Sequence, residues 1–224
     1  MSMATAARSE QAPTLPDWIE HAAAAAGGPE WLQQRRRAGL AAFTAAGFPT
    51  RRNEDWKYTD LKLVTRRSFG TVVAGVPPTP QIEGLDCPTL VFVNGRLAAA
   101  PELPEGLGLI PLAAAVAADH PACRELLGTV ADPARHRFAA LSTALFQDGV
   151  LLDLAPGVEL EQPLRLVFLG GGGESPALEC PRVLVRAGVN SRATLIEHYG
   201  AASGESLSLA VTEDPLVLPM TVSV

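Results

Sequence analysis

Metal-cluster ligation needs several thiolates brought together, often at C-x2-C spacing. The three cysteines of this chain, Cys87, Cys123 and Cys180, have no two within thirty residues of each other. They read as ordinary buried or semi-buried thiols, since a free cysteine behaves as a small hydrophobe. An odd number at wide spacing also suits a reducing compartment. His198 stands between Glu197 and Tyr199 at the end of a β-type run. Neighbours on a strand point to opposite faces, so Glu197 and His198 do not chelate one ion together. His21, His120 and His136 form no H-x3-H pair. Gly170 to Gly173 is followed by Glu174-Ser175-Pro176. A phosphate loop wants Lys-Ser/Thr and a helix there, so the glycines read as a flexible hairpin loop. Ser142, Ser203 and Ser206 lack a G-x-S-x-G context. Glu159 and Glu161 share a strand face and could flank a substrate, as in glycan-cleaving β-helices, but a solvated face is the commoner meaning. The chain therefore reads as no enzyme, with no catalytic, cofactor-binding or metal-binding residue of its own.

The residues that do stand out are in RRNEDWKYTDL, Arg51 to Leu61. Arg51, Trp56, Lys57 and Tyr58 are the candidates for a structural or partner-docking role. Trp56 and Tyr58 can bury ring surface while a polar tip finds a partner. On the structural reading they lock the N-terminal helices onto the body, with Arg51 or Lys57 bonding nearby carbonyls. On the docking reading, exposed aromatics beside arginine mark an interaction hot spot.

The elements that must carry these residues follow from period and punctuation. Asp17 to Ala26 predicts a short helix, broken by Gly27-Gly28, and a longer helix follows from Pro29 to Ala46. Pro29 suits its first turn and Gly47 its end, while Leu32, Leu40 and Phe43 share a core-facing arc. Ser68 to Pro80 reads as an irregular connection. Leu90-Val91-Phe92-Val93 predicts a strand, with Asn94-Gly95 as a tight turn before Arg96-Leu97. Pro101 to Gly108 reads as a loop, and Pro111 to Ala118 and Pro121 to Leu127 as two helical pieces. A further helix is expected to start with Asp132 as N-cap and Pro133 at its first position, carrying Phe138, Leu141 and Leu145 inward. From Val150 the period becomes β-type, with runs at Val150–Leu154, Leu164–Leu169, Val183–Val185, Ala193–Ile196 and Leu207–Val211. No helix intervenes, which excludes βαβ crossovers and leaves sandwich, barrel or solenoid.

Of the 224 residues, 47% are hydrophobic and 19% charged, enough for a sizeable core, and the net charge is −6. That balance argues against nucleic acid or an anionic membrane as partner. Arg35-Arg36-Arg37 is the one basic triplet, expected on a solvated helix face. The N-terminus has no apolar stretch of signal-peptide length, and the alanine run Ala22 to Ala26 is too short to span a bilayer. A cytoplasmic location is the expectation.

Four blocks, in order, resemble one family. GFPTRRNEDWKYTDL after a helix is similar to the N-terminal region of SufD-type members of the SufB/SufD family of iron–sulfur cluster assembly scaffolds. VFVNGRL (Val91–Leu97), the segment Phe138 to Leu169 and the segment Pro181 to Ala201 resemble later parts of the same family. The resemblance implies an α+β fold, with a small helical N-terminal domain followed by the first rungs of a right-handed parallel β-helix. The implied division is a flexible tail over 1–16, a helical domain over 17–67, a mixed strand and helix connection over 68–149, a β-helix start over 150–213 and a divergent tail over 214–224. It also implies a scaffold subunit working with a SufB-like paralogue and a SufC-like ATPase. Clusters or iron would be handled by the assembled complex, with no cofactor in this chain, no nucleic acid and no membrane. The match covers about the first half of the family and departs after Glu213, so a truncated product or a natural short form is expected. Alternatives are a non-functional or regulatory fragment of that subunit and, more remotely, a β-helix carbohydrate-active enzyme.

Overall fold

The computed structural model describes residues 15–72, 75–171 and 173–215, with Ala202 described in its backbone only. The two tails expected at 1–16 and 214–224 lie almost wholly outside those residues.

Two helices open the described chain. Helix α1 (Asp17–Ala25) carries Asp17 and Glu20 in its first turn, where acid complements the helix dipole, and it buries Trp18 and Ile19. Helix α2 (Glu30–Ala46) follows an extended Pro29 and ends at Gly47, whose N–H bonds the Phe43 carbonyl. It buries Leu32, Arg36, Gly39 and Phe43. A Cβ on Gly39 would stand 2.7 Å from the Ala140 carbonyl oxygen, so the missing side chain lets α2 approach its neighbour closely. A 3-10 turn (Glu54–Trp56) and a one-turn helix α3 (Lys62–Arg66), which no periodicity announced, complete the segment.

The connection then leads to the hairpin of β1 (Thr89–Val93) and β2 (Arg96–Ala99). Asn94 and Gly95 both take left-handed φ, 48° and 79°, as a two-residue turn between right-twisted strands requires. Strand β3 (Leu107–Pro111) occupies ground expected to end as loop, because it pairs antiparallel with a strand forty residues on. Helices α4 (Leu112–Ala117) and α5 (Pro121–Leu126) match the two expected pieces closely. The third helix does not begin where expected. Asp132 caps a separate tight turn, its carbonyl accepting from the Arg135 and His136 N–H groups and its side chain from Ala134. Helix α6 (Arg137–Leu145) starts after that turn and buries every residue from Ala139 to Leu145.

From Gly149 the described chain is all strand and turn: β4 (Gly149–Leu154), β5 (Leu164–Gly171), β6 (Ala177–Glu179), β7 (Arg182–Ala187), β8 (Leu195–Ser203), β9 (Ser206–Ser208) and β10 (Val211–Glu213). Each strand pairs in parallel with the one three later: β4 with β7 and β7 with β10, β5 with β8, β6 with β9. The chain thus coils through three sheets in turn. Strand β1 adds in parallel to β5, and β3 adds antiparallel to β4. The result is a mixed α+β fold, N-terminal helices followed by parallel-rich sheets. Alternation sorts β4: Val150, Leu152 and Leu154 face the coil interior with Leu90, Phe92, Leu166, Phe168 and Val185, while Leu151 joins Leu178, Leu184 and Leu209 in the core beneath the helices.

Two expectations for the strands need correction. The run Leu207–Val211 is split into β9 and β10 by a corner at Leu209-Ala210. The glycine run is no hairpin loop: Gly170 and Gly171 belong to β5, and the following β6 joins a different sheet. Gly170 lies against Glu179 and Ser206, a contact that leaves no space for a Cβ.

Candidate functional site

The Arg51–Leu61 block is a turn held by its own short polar residues. The Thr50 N–H donates to Asn53 Oδ1 at 2.8 Å, and the Asn53 N–H returns to the Thr50 carbonyl at 2.9 Å. This aims Trp56 at the start of α6, where its ring lies 5.1 Å from that of Phe138. Phe138 in turn meets Phe43 and Phe48, so one aromatic cluster joins the block, α2 and α6. Tyr58 behaves differently. On the structural reading it locks the helices with Trp56, and on the docking reading it faces a partner; it is 90% exposed, with the Lys57 ammonium 5.4 Å from the ring centre. Arg51, which with Lys57 is one of two candidates for bonding nearby carbonyls on the structural reading, pairs with the Asp60 carboxylate at 3.2 Å. Asp60 also accepts the Lys62 N–H at 3.0 Å and faces the Lys62 ammonium at 3.6 Å. That backbone bond, with Lys62 and Arg51 nearby, holds its carboxyl below the ordinary carboxylate range.

Two clefts flank the turn. One, about 280 Å³, is bordered by Phe48, Arg51, Asp60, Leu61 and Lys62. The other, about 300 Å³, runs between Trp56, Leu61 and Val64 on one side and Leu207, Leu209 and Val211 on the other. Exposed aromatic and aliphatic surface among lysines and arginines suits contact with another chain.

The other candidate residues are dispersed. Cys123 and Cys180 are buried, and burial pushes their thiols up to about 11 and about 12, so they stay protonated; Cys87 is half-buried. His198 Nδ1 meets Arg165 Nη2 at 2.7 Å, while Glu197 turns the other way to accept from Tyr199 and Thr212. The His120 ring caps α5 by accepting the Ala122 N–H. Glu159, one of the two spaced carboxylates, is ion-paired with Arg192 at 2.9 Å. Among the described residues no three His, Cys, Asp or Glu side chains converge as they would around a metal ion. Among them, too, no helix is long and apolar enough to cross a membrane.

Sequence reasoning missed the buried polar groups. Arg36 was assigned to a solvated face, yet it is 7% exposed, donating to the carbonyls of Gly27 and Ala144, each at 3.1 Å. The signal was present, since Leu32, Arg36 and Leu40 follow at intervals of four along the apolar arc. Arg35 likewise turns inward, onto the carbonyls of Cys123, Arg124 and Leu127 at the end of α5. Only Arg37 is solvated, paired with Glu30. Arg182 and Glu213 form a fully buried ion pair at 2.9 Å. Glu213 also accepts the N–H groups of Gly128, Thr129, Val130 and Ala131, tying β10 to the loop after α5. No local pattern marks that pair.

The family model for the SufBD protein N-terminal region matches residues 20–166. An iron–sulfur cluster assembly SufBD family protein of Synechocystis sp. (strain ATCC 27184 / PCC 6803 / Kazusa) is 26% identical over 181 residues, covering 77% of this chain and 40% of that relative. The chain spans less than half the length of the curated relative it matches. With the match running from α1 through the helical segment into β5, the chain belongs to the SufBD protein family.

Proposed function

We propose that this chain is a SufD-like subunit of an iron–sulfur cluster assembly scaffold, working in the cytoplasm with a SufB-like paralogue and a SufC-like ATPase. It acts by assembly and not as an enzyme, and iron or clusters are handled by the complex and not by a cofactor resident in this chain. The observation that carries this reading is the family match over the helices, coupled to strands that pair in parallel at a three-strand repeat. In that reading the coil is a right-handed β-helix over 150–213, preceded by a helical domain over 17–67 and a connecting region over 68–149. Each rung buries its apolar side only when stacked on the next. The burial of Cys123 and Cys180 supports a structural role as small hydrophobes. Arg51, Trp56, Lys57 and Tyr58 serve as the docking block, with Trp56 as the inner anchor and Lys57 and Tyr58 as the outward face.

Co-expression of this chain with the SufB-like and SufC-like proteins of its source tests the reading. Recovery of a stable complex is expected, and Lys57→Glu combined with Tyr58→Ala should reduce it without unfolding the chain. A folded chain that recovers neither protein would overturn the scaffold assignment.

A further inference from the structure

A second recess lies away from the docking block. It is a cleft of about 320 Å³ between the α1–α2 junction (Gly27 to Pro29), α4 and the residues after α6. Its walls are largely apolar, including Leu32, Leu112, Val116 and Phe146, and two arginines, Arg36 and Arg96, are its charged residues. No carboxylate lines it among the described residues. That size, with apolar walls and few convergent polar groups, is what small-molecule sites share.

The two arginines are positioned differently. Arg36 is held by Nε on the Gly27 carbonyl and Nη1 on the Ala144 carbonyl, its guanidinium 4.2 Å from the Phe146 ring centre. Nη2 has no hydrogen bond among the described residues. Arg96 reaches in from the hairpin and donates to Gln147 Oε1 at 3.1 Å. The one acid beside Gln147, Asp148, accepts the Ala113 N–H. Buried Arg182 has Glu213 for a counter-ion, whereas Arg36 has only carbonyl oxygens. Burial, and then the nearby Arg182, depress Arg36 to about 10. An anion delivered to the cleft would meet a guanidinium already oriented and desolvated, and such charge-assisted bonds are the stronger kind.

We propose that this cleft binds a small organic carboxylate, its anionic group between Arg36 Nη2 and Arg96 and its apolar body against Leu32, Leu112 and Val116. A planar carboxylate matches the guanidinium fork, and the apolar walls favour a ligand with a hydrocarbon body over a bare, strongly hydrated inorganic anion.

Benzoate titrated into the full chain, followed by backbone amide NMR, reads the site directly. Saturable shifts are expected at Gly27, Gly28, Ala113 and Gln147, with neutral benzamide and inorganic phosphate producing none at the same concentrations. Arg96→Gln, a change at an exposed residue, should weaken benzoate by about ten-fold, the effect of losing one charge-assisted bond. Arg36→Lys keeps the charge but loses the fork and should weaken it as well. Absence of saturation by roughly 10 mM, a weak limit even for so small a ligand, would overturn the proposal. So would equal binding by the Arg96→Gln chain, or phosphate shifting the same amides as strongly as benzoate.

Discussion

Arginines in the helical segment and arginines in the coil take different partners. In α2, Arg35 and Arg36 hold main-chain carbonyls, those at the end of α5 and those at Gly27 and Ala144. In the coil, Arg182, Arg186 and Arg192 each face a carboxylate on a neighbouring turn: Glu213, Asp153 and Glu159. The difference follows from the backbone. Helix ends leave carbonyls without intrahelical partners, and a cation nearby satisfies them. Parallel strands satisfy their own carbonyls in the ladder, so Arg186 and Arg192 are matched instead to the residue in register one coil away, while Arg182 reaches Glu213, two positions beyond its own register partner Val211. Arg186 and Asp153 are 33 residues apart, as are Arg192 and Glu159. The aromatic residues obey the same rule, with Phe92, Phe168 and Tyr199 stacked in register across β1, β5 and β8 at centroid distances of 4.8 and 4.9 Å.

The sharpest test of this contrast is Glu213→Ala. It strands buried Arg182 and orphans the N–H groups at 128–131, and breaking such a pair costs about 3–5 kcal/mol. Urea denaturation should show that loss, with amide exchange accelerated first at Gly128 to Ala131. A loss no larger than that of a surface pair would remove the distinction between buried and exposed coil charges. Arg36→Met comes next. It preserves apolar volume but leaves the Ala144 carbonyl unpartnered in the interior, a cost of about 1–3 kcal/mol. If its denaturation midpoint fell as far as that of Glu213→Ala, carbonyl anchors would count equally with ion pairs.

The Asp153–Arg186 pair should matter less, since its side chains are 31% and 43% exposed and solvent screens such pairs to below about 1 kcal/mol. Its sign is nevertheless defined. The hydrogen bond from Arg186 holds the Asp153 carboxyl below its ordinary range, against the opposing effect of burial. A depressed folded pKa means stability present above the unfolded value, about 3.9, and lost as pH falls through the folded one. Asp153→Asn should therefore flatten the acid limb of the stability–pH curve below about pH 4, and an unchanged limb would count against the pair. The smallest effect belongs to Tyr58→Ala, which should shift stability by no more than about 0.5 kcal/mol because the side chain is 90% exposed. A larger loss would move Tyr58 from the outward face to the anchor that Trp56 provides.

Legibility in the sequence divided along similar lines. Helices α1 and α2 were readable within a residue or so, because Pro29, Gly47 and the apolar arc act over a few positions. The Asn94-Gly95 hairpin was readable for the same reason. Strands β3 and β6 were not, since they are short and owe their conformation to partners distant in sequence. In the docking block, residue types alone could not separate Trp56 from Tyr58. Both are amphipathic aromatics two positions apart, and which one meets Phe138 depends on where α6 lies.

The helical beginning, the turn chemistry, the change to a β period after Gly149 and the family to which the chain belongs are all written in short stretches of residues. It took the packed fold to pair Arg182 with Glu213, to close the loop after α5 with Glu213 and to bring Arg36 and Arg96 to one cleft. Propensity, capping and periodicity are local interactions and are written in adjacent residues. A charge is buried or matched by whatever the completed coil and the packed helices bring to it, and those neighbours lie tens of residues away along the chain.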